Sequence, residues 1–531
     1  MFSALYRRPL RPFFQRPCLA RDKPPLTRFY SIQGQPQSDL FEYTSGRWIF
    51  DEPLRLKEHR TTFDVDGLCQ LAAKSVNRPS SDVAEISKFA EGGFNRLLQI
   101  TMTDGFKLIA RIPYPLFAPR GLCLACEVAT MDFVRQHTAV PVPTVYSYDP
   151  TREKEAGTEY MFMELVDGVP LSEAMPEFDD MDEYAEVIRQ MVEVEAAVMQ
   201  LKFPAAGGLY YAEDLERLSS SVRGVPVKSN EGRFCIGPNT QADCTPIHPR
   251  NRARRPFYNF EKQSPQEHIE NLKRYLLLAP SLVPKNVYTN RPAFVLRHPS
   301  YRPINILLAG SSDSNLRTQI VSVLDCEQSS ICPPFLDVGL PNDIQNYGDP
   351  VCDTLVPPEL PDISDSTSPE DLTKFGTYLW RFLHHQFATQ SIALMGPESL
   401  FTNQLSISRM SLFQSARHVW EGETIPLLQR EVARLVSDWT EIVGPDSGPC
   451  PVVMTDKEVQ DTFEFSHEVE EVDAKFLRLC NALGTRSDGF VLENSEVEDA
   501  VVHKAREFLL RPCLLQTCVQ WVKTIDQGIE K

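Results

Sequence analysis

The chain has 531 residues, 42% hydrophobic and 24% charged, a composition that suits a globular protein with more than one core. Its formal net charge is −18, and so acidic a body argues against general nucleic-acid binding. No stretch reaches the ~18 consecutive apolar residues of a membrane span, so no transmembrane segment is expected.

The start differs from the rest. Residues 1–33 carry Arg7, Arg8, Arg11, Arg16, Arg21, Lys23 and Arg28 against one acid, Asp22, with Phe and Leu between them. An Arg-rich, acid-poor start reads as a mitochondrial transit peptide, and Arg28-Phe29-Tyr30-Ser31 looks like a processing site. Without that segment the remainder holds 47 basic and 71 acidic residues, a net charge of −24. The 13 cysteines are odd in number and show no framework, which predicts reduced thiols. Cys123-x-x-Cys126 lacks a second pair at zinc spacing and reads as helix filler.

Residues 34–80 form a lead-in. Phe63, Val65, Leu68, Leu71 and Ala72 have helical spacing. From Val83 the pattern becomes a β-meander. One strand ends before Gly92-Gly93, a second runs through Leu98 and Ile100, and Asp104-Gly105 turns into a third that holds Arg111. Glycines at Gly92 and Gly93 let a backbone approach phosphates. A helix from about Gly121 to Arg135 follows, with Leu124, Val128 and Met131 on its apolar face and Glu127 beside it. A strand cation facing a helix carboxylate suits phosphate binding. Tyr160 to Glu164 reads as a buried strand that ends near Gly168.

Helical periodicity then takes over. Tyr184, Val187, Ile188, Met191 and Val198 share one face. Segment 217–260 is irregular, with a basic run from Arg250 to Arg255, and Pro265 to Leu278 reads as a helix. Further on, Leu428, Val432, Leu435, Trp439 and Ile442 keep a strong amphipathic spacing. Val469, Val472 and Phe476 mark another helix, and Ser495-x-x-Glu498 looks like a capping box that opens a last one.

The centre of the chain is His298-Pro299-Ser300-Tyr301-Arg302-Pro303-Ile304-Asn305, followed by the apolar runs 304–308 and 320–324 about a polar turn. This is a hairpin signal. Asn305 enters one strand and Asp325 leaves the other, so the pairing brings an amide oxygen beside a carboxylate. Such a hard, oxygen-rich pair suits Mg²⁺.

These residues resemble the catalytic loop and metal-binding strand of the aminoglycoside phosphotransferase and choline kinase-like family, in a fungal mitochondrial branch. The family pattern is His-x-Asp-x-x-x-x-Asn, then an Ile-Asp-Trp-like strand end. His298, Asn305 and Asp325 match; Ser300 stands where the family has its catalytic Asp.

The resemblance implies an α+β, bilobal protein-kinase-like fold with a small antiparallel-sheet N-lobe and a larger, mostly helical C-lobe. It divides the chain into a transit peptide (1–33), lead-in (34–80), nucleotide-binding N-lobe (81–163), C-lobe (164–445) and C-terminal helical extension (446–531). It implies ATP and Mg²⁺ as cofactors. Gly92, Gly93, Arg111, Glu127 and the backbone of Glu164 and Val166 would face the nucleotide, and Asn305 and Asp325 the metal. His298, Ser300 and Asn305 form the catalytic loop.

Serine is a poor base, so the expected function is Mg²⁺–ATP binding with impaired transfer in the mitochondrial matrix. Two alternatives stand beside it. One is an active small-molecule kinase in which Glu327 or Asp337 serves as base. The other is a scaffold that binds a protein partner without nucleotide.

Overall fold

The computed structural model describes residues 38–492 apart from 50–51, 116–118, 220, 229–231, 242–263, 284–293, 311–313, 338, 347–348, 363–367, 397–403, 418–426, 446–447, 483–484 and 487–488. The expected transit peptide, the basic run at 250–255 and the capping box at Ser495 lie outside the described residues.

Five strands build the small lobe: β1 (Val83–Glu91), β2 (Asn95–Met102), β3 (Lys107–Pro113), β4 (Val145–Asp149) and β5 (Tyr160–Glu164). They pair antiparallel in the order β1-β2-β3-β5-β4. Strand alternation is plain in β2, where Arg96, Leu98, Ile100 and Met102 are buried and their neighbours less so. That inward face meets helix α1 (Val65–Ser75), whose Leu68 and Ala72 share a core with Leu98, Ile100, Leu108 and Phe162. Asp64 caps α1 by accepting from the Gly67 N–H at 2.7 Å.

Helix α2 (Leu122–His137) covers the other face. Its Leu124, Val128 and Met131 join the core that contains Met161, the neighbour of Phe162 on β5. Gly121 sets the entry to α2. It takes φ 73°, and a Cβ there would stand 2.6 Å from the Pro150 carbonyl oxygen, so only glycine fits.

The larger lobe is helical around α3 (Met181–Met199) and the helix Pro369–Met395, which pack together in the core shared with α2. Short strands carry the central loop: β6 (Val295–Arg297) pairs with β9 (Ser330–Cys332), and β7 (Ile306–Leu308) pairs with β8 (Ile320–Val323). The two-lobed α+β expectation is the observed architecture. A separate helical core joins Pro265–Leu282, Leu427–Ser437 and Trp439–Val443 through Leu278, Leu428, Leu435 and Trp439. The long amphipathic helix expected up to Ile442 is thus two helices, broken at Asp438 (φ −104°, ψ 20°).

The C-terminal part differs most from expectation. After the helix Asp456–Ala482, the chain returns to the small lobe, where strand Phe490–Leu492 pairs antiparallel with Gly46–Trp48 of the lead-in. Phe490 packs on Trp48 with ring centroids 5.1 Å apart. The lead-in is in turn tied to the sheet by Arg96. Its buried guanidinium donates to Glu91 Oε1 at 2.9 Å, the Leu40 carbonyl at 2.8 Å and the His59 carbonyl at 3.3 Å. The Thr44 N–H and the Ser45 hydroxyl also donate to Glu91, at 2.8 and 2.9 Å.

Candidate active site

The β7–β8 hairpin forms as the apolar runs foretell, with Ile306 opposite Val323. It brings Asn305 and Asp325 together. The Leu324 N–H donates to the Asn305 carbonyl at 2.7 Å, and Asn305 Nδ2 lies 3.5 Å from Asp325 Oδ2. The same amide donates to the Ser300 carbonyl at 2.9 Å, which closes the loop between His298 and Asn305. Asp325 sits at φ 65°, a left-handed conformation that costs energy for a non-glycine residue and is tolerated best by Asp and Asn.

His298 helps to hold that geometry. Its Nε2 lies 2.9 Å from the Leu324 carbonyl, an acceptor, so Nε2 carries the proton. Burial lowers its pKa, against the pull of Asp325 and of the Leu324 bond, so the ring is neutral. Tyr301 fixes the loop from beneath by donating to the Met191 carbonyl of α3 at 2.9 Å. Ser300 itself is half-buried.

Arg111 is the hub. It leaves β3 and bonds Glu127 of α2 through Nη1. Its Nη2 donates to Asp325 Oδ1 at 3.0 Å and to Glu327 Oε2 at 2.6 Å. One guanidinium therefore meets three carboxylates. Burial would lower the Arg111 pKa, but Glu127, Glu327 and Asp325 outweigh it and raise it, so the residue stays a cation. Burial raises the pKa of both Glu127 and Glu327, each repelled by nearby carboxylates and held down by Arg111. The three acids differ in exposure: the Asp325 side chain is 36% exposed, against 3% for Glu127 and 9% for Glu327. Asp325 is thus the carboxylate that faces solvent, with the other two behind it.

The glycine turn joins this group. Asn95, which opens β2 just after the turn, donates from Nδ2 to Glu327 Oε2 at 3.1 Å. Gly92 donates its N–H to the Asn95 carbonyl at 2.9 Å. Neither Gly92 nor Gly93 is among the described glycines of positive φ, and a Cβ at Gly93 would meet nothing within 4 Å. Nothing internal demands glycine there; the space lies open on the outside of the turn.

Glu164 ends β5. The register pairs Leu108 with Glu164 and Arg111 with Met161, so the strand end stands beside the hub without touching it. Its carboxylate accepts from the Thr144 N–H at 3.1 Å and the Thr144 hydroxyl at 2.8 Å, and Val166 is half-buried in the coil that follows.

Glu327 corrects one expectation. As a spare base it would need a free carboxylate, but it is committed to Arg111 and Asn95. The side chain of Asp337 lies outside the described ones. Sequence reasoning missed Glu327 and Asn95 as hub residues. The one signal was a second acid two residues after Asp325, in Asp325-Cys326-Glu327.

The chain is similar to several known proteins. The sequence model of the phosphotransferase enzyme family matches residues 85–340. A subtelomeric hrmA-associated cluster protein of Aspergillus fumigatus is 27% identical over 477 residues, covering 76% of this chain and 90% of that protein. Altered inheritance of mitochondria protein 9, mitochondrial, of Yarrowia lipolytica is 25% identical over 494 residues, covering 82% of this chain and 83% of that one. Solved structures with similarity include the ternary complex of APH(2")-IIa with streptomycin and ATP, at 8% identity over 73% of this chain and 98% of that one, with a TM-score of 0.31. Another is macrolide 2'-phosphotransferase MphH from Brachybacterium faecium, at 15% identity over 65% of this chain and 98% of that one, with a TM-score of 0.27. Over residues 85–340 this chain therefore resembles the phosphotransferase enzyme family.

Proposed function

We propose that the protein binds Mg²⁺–ATP in the cleft beside Arg111 and transfers phosphate poorly, because Ser300 replaces the base. The observation that carries this reading is the hub itself. Three carboxylates surround one guanidinium, and the exposed one, Asp325, lies beside the Asn305 amide. Left alone, the exposed carboxylate would repel a triphosphate that approached it. A divalent cation offsets that charge, and an amide oxygen with a carboxylate is the hard donor set Mg²⁺ takes.

Asn305 and Asp325 would hold the ion, which supplies charge neutralisation at the phosphates. Arg111 ties strand, helix and metal segment together, and Arg presents a fork where a Lys would present one point. The open space at Gly93, next to Gly92, suits a phosphate approaching the backbone. Glu164 and Val166 stand where the adenine would be met.

The active-kinase alternative gains nothing from Glu327, which is bound to Arg111 and Asn95. Relatives named as mitochondrial, together with the Arg-rich first 33 residues, support a transit peptide and a matrix location. The acceptor is a small molecule or protein group that the geometry does not specify.

Calorimetry with ATP and Mg²⁺ on the full chain tests the reading. Wild type should bind, and Asp325→Ala should abolish the Mg²⁺-dependent part of the affinity, with Asp325→Asn as a control for folding. Equal binding by wild type and both variants would show that Asp325 holds no metal.

A further inference from the structure

Behind the loop 298–305 lies a cavity of about 30 Å³, between α2, α3 and β6. Valines form part of its wall, with Val134, Val140, Val142 and Val198 among the lining residues. Polar side chains interrupt those valines: His298 from the loop, Thr130 from α2, and Glu195, Arg297, Tyr301 and Ser329. His298 Nδ1 and Thr130 Oγ1 are both shut off from solvent, and neither finds a hydrogen-bond partner among the described residues. The Cys126 thiol lies beside the Thr130 hydroxyl, but a thiol is a weak partner.

The chemistry of the pair is complementary through a third group. Nε2 of His298 carries the proton, because it faces the Leu324 carbonyl. Nδ1 is therefore a bare acceptor in a neutral ring. A bare acceptor shut off from solvent costs on the order of 1–3 kcal/mol unless something donates to it. Thr130 has a hydroxyl that both donates and accepts. A space of this size holds one or two waters, and a buried water is retained where polar groups flank it.

We infer that ordered water in this cavity bridges the Thr130 hydroxyl to His298 Nδ1, and that Thr130 is a positioning residue for Asp325. The chain of contacts runs from α2 through water to His298, and from His298 to the Leu324 carbonyl, next to Asp325. Glu127 lies three residues before Thr130 on the same helix, so the two side chains share a face. It reaches the same segment by way of Arg111. A third link is the Cys126 thiol, 3.7 Å from the Ser329 carbonyl. Helix α2 thus grips residues 324–329 at several points, and its placement sets the orientation of the exposed carboxylate. The effect on metal affinity rests on the Mg²⁺–ATP reading; the water bridge does not.

Two measurements on the full chain test the inference. In protein labelled with ¹⁵N-histidine, two-bond ¹H–¹⁵N correlations report tautomer and hydrogen bonding, and His298 is assigned by its loss in His298→Asn. The expected signature is an Nε2–H ring whose Nδ1 accepts a hydrogen bond, and Thr130→Val should shift the Nδ1 resonance. An Nδ1–H tautomer, or an Nδ1 with no bond, would overturn the bridge whether or not ATP binds. The second measurement is calorimetry with ATP, with and without Mg²⁺. Thr130→Val should weaken the Mg²⁺-dependent affinity about 2- to 10-fold and leave metal-free affinity unchanged, and Thr130→Ser should restore it. Unchanged Mg²⁺ dependence in Thr130→Val, or a Thr130→Ser variant as weak as Thr130→Val, would rule out the positioning role. Wild-type protein that binds no ATP would overturn the positioning role together with the nucleotide reading, and the spectra would still decide the bridge.

Discussion

In the proposed function Ser300 is the residue on which activity turns. Its loop is intact, since Asn305 still bonds the Ser300 carbonyl and His298 still holds the Leu324 carbonyl. A carboxylate restored there should act within a prepared frame. Ser300→Asp is therefore expected to raise ATP turnover, by up to roughly 10²- to 10⁴-fold if every other group is aligned. A coupled assay for ADP release checks it, and an unchanged rate despite preserved ATP binding would place the defect elsewhere. At this scale the sequence was readable where chemistry is local. The loop spacing and the strand ends marked His298, Ser300, Asn305 and Asp325. Arg111 and Glu127 are 16 residues apart and were legible as a strand followed by a helix. The bond from Arg111 to Glu327 spans 216 residues, and no periodicity encodes it. The Thr130 hydroxyl was invisible for another reason: on a helix buried nearly all round, a threonine reads as filler.

Among the elements, β2 and its neighbours were legible from alternation and turn glycines, while the tie between lead-in and sheet was not. Arg96 occupies an inward position on β2, where the pattern calls for an apolar residue, and Glu91 is the buried partner that makes this tolerable. Burial would push the Glu91 pKa up, but Lys88, Arg96, the Thr44 N–H and the Ser45 hydroxyl outweigh it, so the net shift is downward. A carboxylate with a depressed folded-state pKa contributes stability above its unfolded value. That contribution is lost as pH falls through the folded value. Glu91→Gln should thus destabilise the chain by about 3–5 kcal/mol near neutral pH, because Arg96 is left buried without its counter-charge. The gap in melting temperature between variant and wild type should narrow as pH drops below about 4. A gap that stays constant with pH would mean that Glu91 acts by packing alone. The short strand Phe490–Leu492 escaped notice because three residues carry too little pattern to separate a strand from a turn.

Across the whole molecule, charge divides the chain into a basic start and an acidic body. If residues 1–33 are a targeting segment, the mature protein begins near Ser31 and carries a net charge near −24. N-terminal sequencing of protein recovered from mitochondria is expected to begin within a few residues of that point; an intact Met1 would refute the reading. The same scale shows where prediction from residues ran out. The meander strands and the central hairpin follow from local pattern and the two lobes from the resemblance, but the return of the C-terminal part to the lead-in is a property of the closed fold.

That return has a consequence for how the protein comes into being. Gly46–Trp48 finds its partner only when Phe490–Leu492 arrives, at the far end of the described chain. A ribosome delivers the first strand long before the second, and a translocation pore that admits the chain N-terminus first does the same. Through that interval the lead-in presents an unpaired edge with Trp48 beside it, a template for the wrong neighbour. Closing so long a loop is also slow relative to the local contacts of the helices. The lead-in strand therefore waits for its partner until nearly all of the described chain has been made.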